Sequence, residues 1–131
     1  MDPAFEQEIR EAYAAFAAGD VDGVMATFFT SDASYVNPDY ALEPTVHGHE
    51  AFRRALLALH EQFEYQSVEV EEIEDGPNGL FVLVRLKATG KTSGAPLDET
   101  FAHVFRMSGR VASSYEWYTS REEGRAAAGL A

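Results

Sequence analysis

Residues 99–118 read Glu-Thr-Phe-Ala-His-Val-Phe-Arg-Met-Ser-Gly-Arg-Val-Ala-Ser-Ser-Tyr-Glu-Trp-Tyr, and their alternation predicts two strands joined by a tight turn at Ser108-Gly109. On the first strand Phe101, His103, Phe105 and Met107 fall on one face by the period-two rule, which sets a lone imidazole among large apolar side chains. On the second, Tyr115 and Trp117 share a face, while Glu116 points to the opposite side. A strand face of aromatics with a few polar atoms is what a small-molecule pocket inside a curved sheet requires.

Upstream of this hairpin the pattern is first helical and then alternating. Phe5, Ile9, Ala12, Tyr13 and Phe16 recur at helical spacing over residues 3–18, with Asp2 as cap, Pro3 in the first turn and Gly19 as the stop. Asp20 caps a second, short helix whose buried stripe is Val21, Val24, Met25 and Phe28, running through Phe29. Ser34 to Asn37 reads as a short extended piece stopped by Pro38, and Asp39 to His47 as a loop. Gly48 opens a third helix with Phe52, Ala55, Leu56, Leu59 and Phe63 on one side. From Tyr65 to Glu74 valines alternate with glutamates, Asp75-Gly76-Pro77-Asn78-Gly79 is a turn, and Leu80 to Thr89 is apolar enough for a central strand. Residues 90–96 form a loop before the hairpin, and residues 120–130 form an Ala-rich helix.

These elements predict one α+β domain over residues 1–131: three N-terminal helices packed on a strongly curved, mainly antiparallel sheet, with a short C-terminal helix. A twisted sheet folded over helices leaves a cone-shaped cavity. The hydrophobic fraction of 46% fits a globular protein of this length. With 22 acidic and 10 basic residues the net charge is −12, which repels phosphate backbones and anionic lipid, so neither nucleic acid nor membrane is an expected partner. The same charge tilts the ligand toward a small apolar or neutral molecule. Cysteine is absent, excluding a disulfide framework or thiol nucleophile. The acidic start lacks the blocks of a signal peptide, so a cytoplasmic protein is expected.

The order of signals carries a resemblance: Tyr13 with Phe16, Gly19-Asp20, Phe28-Phe29 before Asp32, Tyr35-Val36-Asn37-Pro38, His47-Gly48-His49-Glu50-Ala51 and Gly109-Arg110-Val111. It resembles the nuclear transport factor two-like superfamily, in its SnoaL-like and ketosteroid-isomerase-like branch, over essentially the whole chain. That superfamily spans isomerases, polyketide cyclases, epoxide hydrolases, dehydratases and proteins without known activity, so the reaction must be argued from the site. Against the isomerases, the resemblance places Tyr13 and His103 at the two oxyanion-donor positions and Asn37 at that of the general base. An amide cannot take a proton from carbon. Against the SnoaL-like cyclases, His103 matches the catalytic His, while Trp117 stands where an Asp is expected. The Asp-Arg-Asp set of the epoxide hydrolases has no counterpart.

His103 is therefore the candidate catalytic residue, as acid, base or donor, and the ligand-contacting candidates are Tyr13, Phe16, Tyr35, Asn37, Phe101, Phe105, Tyr115 and Trp117. The bland alternative for His103 is a core histidine satisfied by a Tyr hydroxyl or a carbonyl. Trp117 is a stacking surface or a plug. Isomerisation, cyclisation or dehydration of a carbonyl compound needs no cofactor. His47 and His49 straddle Gly48 with no third ligand at motif spacing, so no metal site is expected there, and the Glu69 to Asp75 run reads as a solvated strand face. With Phe101, His103 and Phe105 facing inward, Ala102 and Val104 face outward, and a sheet apolar on both sides needs a second partner. A homodimer formed through the sheet meets that need, and the resemblance implies the same. Two readings remain: a ligand-binding cone, marked by an open cavity of several hundred cubic ångströms with His103 at its floor, or a dimeric interaction module whose interior is filled.

Overall fold

A computed structural model describes residues 1–36 and 45–131. The element order is α1 (Pro3–Ala17), α2 (Val21–Phe28), β1 (Phe29–Val36), β2 (Val46–His47), α3 (His49–Gln62), β3 (Phe63–Asp75), β4 (Leu80–Gly90), β5 (Pro96–Ser108), β6 (Val111–Tyr118) and α4 (Arg121–Ala127). The strands form one six-stranded sheet in the order β2-β1-β6-β5-β4-β3. Neighbours are antiparallel except β1 and β6, which run parallel. The fold is α+β, with α1 to α3 on the inner face of the sheet and α4 on the outer one.

The first two helices follow from their caps. Asp2 accepts from the Ala4 amide at 3.0 Å to start α1, and Pro3 fills the first position, where its missing N–H costs nothing. Gly19, at φ 86°, reverses the chain, and Asp20 accepts from the Gly23 amide at 3.0 Å to start α2. A side chain at position 23 would collide with that capping carboxylate. Helix α2 ends one residue before the expected point: Phe29 is already extended and begins β1, several residues earlier than the Ser34 start read from the sequence. Val46 and His47, expected as loop, pair with Tyr35 and Ser34 as a two-residue edge strand. In both cases strand pairing, a long-range interaction, overrides a local pattern.

The long strands are bent by bulges. In β3, Val68 and Val70 face inward opposite Leu86 and Val84, and strict alternation would then turn Glu72 inward and Ile73 out. A bulge between Val70 and Glu72 absorbs one residue, so Ile73 pairs with Val82 on the inner face and Glu72 with Leu83 on the outer. Such bulges increase local twist and curl the sheet around the helices.

The inner face and the helices share one core, in which Ile9, Phe52, Leu80, Val82 and Val84 are fully excluded from solvent. The outer face has its own cluster, Phe81, Leu83, Ala102, Val104 and Ala128, with Tyr118, Ala127 and Leu130 against it. Helix α4 thus covers the outward Ala102 and Val104 from within the chain, and the apolar face on which the dimer expectation rested already has a partner. A partly buried ion pair anchors this cover. Arg106 meets Glu116 through two hydrogen bonds, at 2.7 and 3.0 Å, and also donates to the carbonyls of Asn78 and Ala127, which ties the β3–β4 turn and α4 to the sheet. Glu116 faces outward, as the alternation required, and accepts from Tyr118 as well. Among the described residues, no helix is long and apolar enough to cross a membrane.

Candidate functional site

Cross-strand register assembles the site. His103 on β5 lies opposite Trp117 on β6, and Phe105 opposite Tyr115, so imidazole, indole, phenyl and phenol stand together on the inner face, roofed by α1 and α2. The His103 ring centroid is 4.3 Å from that of Trp117 and 4.9 Å from that of Tyr115, and Phe105 stacks on Tyr115 at 5.0 Å. From α1, where Ile9 and Tyr13 fall one turn apart on the buried stripe, the Tyr13 hydroxyl reaches His103 Nδ1 at 2.7 Å.

Burial sets the protonation of this group. His103 is 1% exposed, and loss of hydration pushes its pKa down to about 3, so the ring is neutral at physiological pH. Burial raises the Tyr13 phenol well above its ordinary value, and raises Tyr115 likewise, with the neighbouring phenols adding to the shift. All three groups are uncharged near neutrality. A neutral imidazole has one N–H and one acceptor nitrogen. If Tyr13 donates to Nδ1, the Nε2–H is the proton left over; if Nδ1–H donates to Tyr13, the phenol proton is left over. Either way the pair keeps one donor for a third group. Tyr115 Oη sits at 3.3 and 3.4 Å from the two ring nitrogens, a weaker contact.

These residues wall a cavity holding about 40 Å³ of space for water centres, enough for roughly three waters. That is far below the several hundred cubic ångströms expected of an open cone. Its wall is almost wholly apolar, and no Asp, Glu, Lys or Arg lines it among the described residues. His103, Tyr13, Phe16, Phe105, Tyr115 and Trp117 are in the wall. Tyr35 and Phe101 lie one layer behind it. Tyr35 packs edge-on against Phe52 and Tyr115, and Phe101 packs against Trp117 at 5.2 Å. Asn37 is outside the described residues. The wall also takes in Val24, Phe28, Leu56 and Leu86, residues whose spacing marked them only as core; a buried stripe reads the same whether it meets packed atoms or a void.

The Trp117 indole nitrogen is fully buried and has no hydrogen-bond partner among the described residues. The Tyr115 phenol is close enough for the indole N–H to favour its ionised form slightly, without the geometry of a hydrogen bond. Elsewhere, His47 Nδ1 lies 2.7 Å from Ser34 Oγ, His60 Nε2 lies 2.6 Å from the Phe16 carbonyl, and no group of three metal-ligating side chains converges among the described residues.

Similarity to other proteins is consistent with this architecture. A protein of Catenulispora acidiphila DSM 44928 with a ketosteroid isomerase-like fold, solved in complex with trimethylamine, superposes with a TM-score of 0.74 at 18% identity, covering 100% of this chain and 96% of that one. An NTF2-like protein of unknown function from Burkholderia pseudomallei K96243 gives 0.71 at 25% identity, covering 95% and 96%. TerC, co-crystallised with polyporic acid, gives 0.73 at 19% identity, covering 95% and 98%. No functionally curated protein matches the chain. The sequence profile of the SnoaL-like domain matches residues 9–114, most of the chain, from within α1 to within β6, and the chain belongs to that family.

Proposed function

We propose that this SnoaL-like domain binds a small, neutral, mostly apolar molecule in the cone and engages its carbonyl oxygen through the Tyr13–His103 pair. The observation that carries this reading is a buried hydrogen-bonded pair, 2.7 Å apart, in the wall of an uncharged aromatic cavity. Desolvation excludes ions from such a wall, and the one donor that the pair retains suits an oxygen acceptor. Structural neighbours that hold trimethylamine and polyporic acid lend support to a ligand-binding cone. The volume calls for a ligand of a few heavy atoms, or for the aromatic wall to part around a larger one.

If the bound carbonyl compound reacts by proton transfer, as in cofactor-independent isomerisation, cyclisation and dehydration, Tyr13 and His103 stabilise the charge developing on oxygen, and the proton passes from carbon to a water or to a basic atom of the compound itself. His103 serves there as a neutral donor. With its pKa near 3 it is a weak base, and no carboxylate stands in the described wall.

A second reading has its own observation. The small volume, with the Trp117 ring held against His103, also describes a filled cone that binds nothing, as in an interaction module. Homodimerisation through the sheet belongs to either reading and would use the polar strip beyond α4, where Arg85 and Asp98 are exposed and paired. A cytoplasmic setting is part of the same proposal.

Fluorescence separates the two. The chain has one tryptophan, and it stands in the cavity wall, so titration with small cyclic ketones reads the site directly. Saturable change with at least one ketone is expected, and a flat response across the panel from folded protein would favour the filled cone.

A further inference from the structure

Trp117 is the member of the wall whose polar atom has no counterpart. The residue is 7% exposed, its Nε1–H is fully buried without an acceptor among the described residues, and its ring is tilted against His103 across the β5–β6 ladder. A buried donor left unpaired is destabilising, and native proteins keep few of them. An indole can only donate, so what answers it must be an acceptor. Tyr13 and His103 are hydrogen-bonded to each other at 2.7 Å, and the Tyr115 hydroxyl, near enough to feel the indole N–H, makes no hydrogen bond with it. A carbonyl oxygen bound in the cavity would supply that acceptor.

We propose that the Trp117 Nε1–H is a second donor to the ligand's carbonyl oxygen, beside the proton left over by the Tyr13–His103 pair, which makes Trp117 a specificity-determining residue for ketone-type acceptors. This rests on the ligand-binding reading above and deepens it. A carbonyl oxygen has two lone pairs and so accepts from both donors at once. A hydrocarbon of the same shape leaves both unanswered, and an ammonium ion, which only donates, leaves Trp117 unanswered and adds a charge to an apolar wall. A carboxylate offers acceptors but meets no cation in the described wall. The site therefore selects the neutral carbonyl among molecules of equal size, with discrimination arising from donors left unpaired by the wrong ligand.

The test pairs cyclopentanone with methylenecyclopentane, which differ in replacing the carbonyl oxygen by a methylene, against wild-type protein and Trp117→Phe. Affinities are read by ligand-observed NMR, and the single indole Nε1–H resonance is followed in ¹⁵N-labelled wild type. The expected result is a ketone preference of about tenfold in wild type, a downfield shift of the indole proton with the ketone alone, and loss of most of that preference in Trp117→Phe with methylenecyclopentane binding retained. A preference unchanged by Trp117→Phe, or an indole proton that ignores bound ketone, overturns the Trp117 assignment and leaves the ligand reading standing. Failure of wild type to bind either compound overturns both. Should Trp117→Phe not fold, the wild-type indole resonance alone decides.

Discussion

The buried, neutral His103 makes stability depend on pH with a sign and size set by its surroundings. In the unfolded chain the imidazole titrates near 6.5; in the fold, burial lowers its pKa to about 3. Between these values the unfolded state holds a proton that the native state does not, so acidification favours unfolding. The folded state therefore carries no histidine penalty above about pH 6.5, loses stability as pH falls through the window from 6.5 to 3, and is penalised in full below that. Each unit in the window corresponds to roughly 1.4 kcal/mol, so the fall from pH 7 to pH 5 removes about 2 kcal/mol. For a domain of this length that is a drop in Tm of about 8 °C. The perturbation is His103→Leu, which is similar in volume and does not titrate. Urea unfolding of both proteins at pH 7 and pH 5 should show wild type losing about 2 kcal/mol more than the variant over that interval, although the variant starts lower because Tyr13 has lost its partner. Carboxylates titrate in both proteins and cancel in the difference. Equal pH dependence, or NMR signals showing His103 protonated at pH 5 in the folded protein, would refute the argument that burial holds the ring neutral.

Three further outcomes follow from particular contacts. Tyr13→Phe leaves His103 Nδ1 with only the 3.4 Å contact to Tyr115, and should cost about 1–3 kcal/mol in urea unfolding while weakening ketone binding. Gly124→Ala places a methyl 2.5 Å from the Ala102 Cβ and 3.1 Å from Phe81; the overpacking, about 1–3 kcal/mol, outweighs a helix-propensity gain of about 1 kcal/mol, so Tm should fall. Arg106→Met strands the Glu116 carboxylate and should destabilise by about 2 kcal/mol, less than for a fully buried pair because the Arg106 side chain is 35% exposed. The double variant Arg106→Met/Glu116→Leu should recover most of that loss in the same unfolding assay.

Sequence pattern reached the faces of the strands better than their ends. The inward set Phe101, His103, Phe105 and the outward Glu116 could be read because side-chain direction alternates with backbone geometry alone. The early start of β1 at Phe29 and the pairing of Val46 with Tyr35 could not, because they depend on strands far apart in the chain. The short tail helix was legible, but its seat over Ala102 and Val104 was not, since Gly124 and Arg106 do their work only once the outer face exists. In the site, the resemblance pointed to Tyr13 and His103, and the structure adds the hydrogen bond between them. The size of the cavity had no sequence signal at all: Val24, Phe28 and Leu56 carry the same apolar periodicity beside a void as beside packed atoms. Nor does a sequence distinguish a satisfied indole from one without an acceptor.

The proposed function requires that the cone admit a small neutral carbonyl compound and hold its oxygen on the Tyr13–His103 pair. A crystal of the protein soaked with tetrahydrothiophen-3-one, a small ring ketone whose sulfur scatters anomalously, tests it most directly. Anomalous density is expected inside the cavity, with the ketone oxygen within hydrogen-bonding distance of Tyr13 or His103 and no charged side chain against it. An empty, close-packed interior at saturating ketone, or density only at the surface, would contradict it.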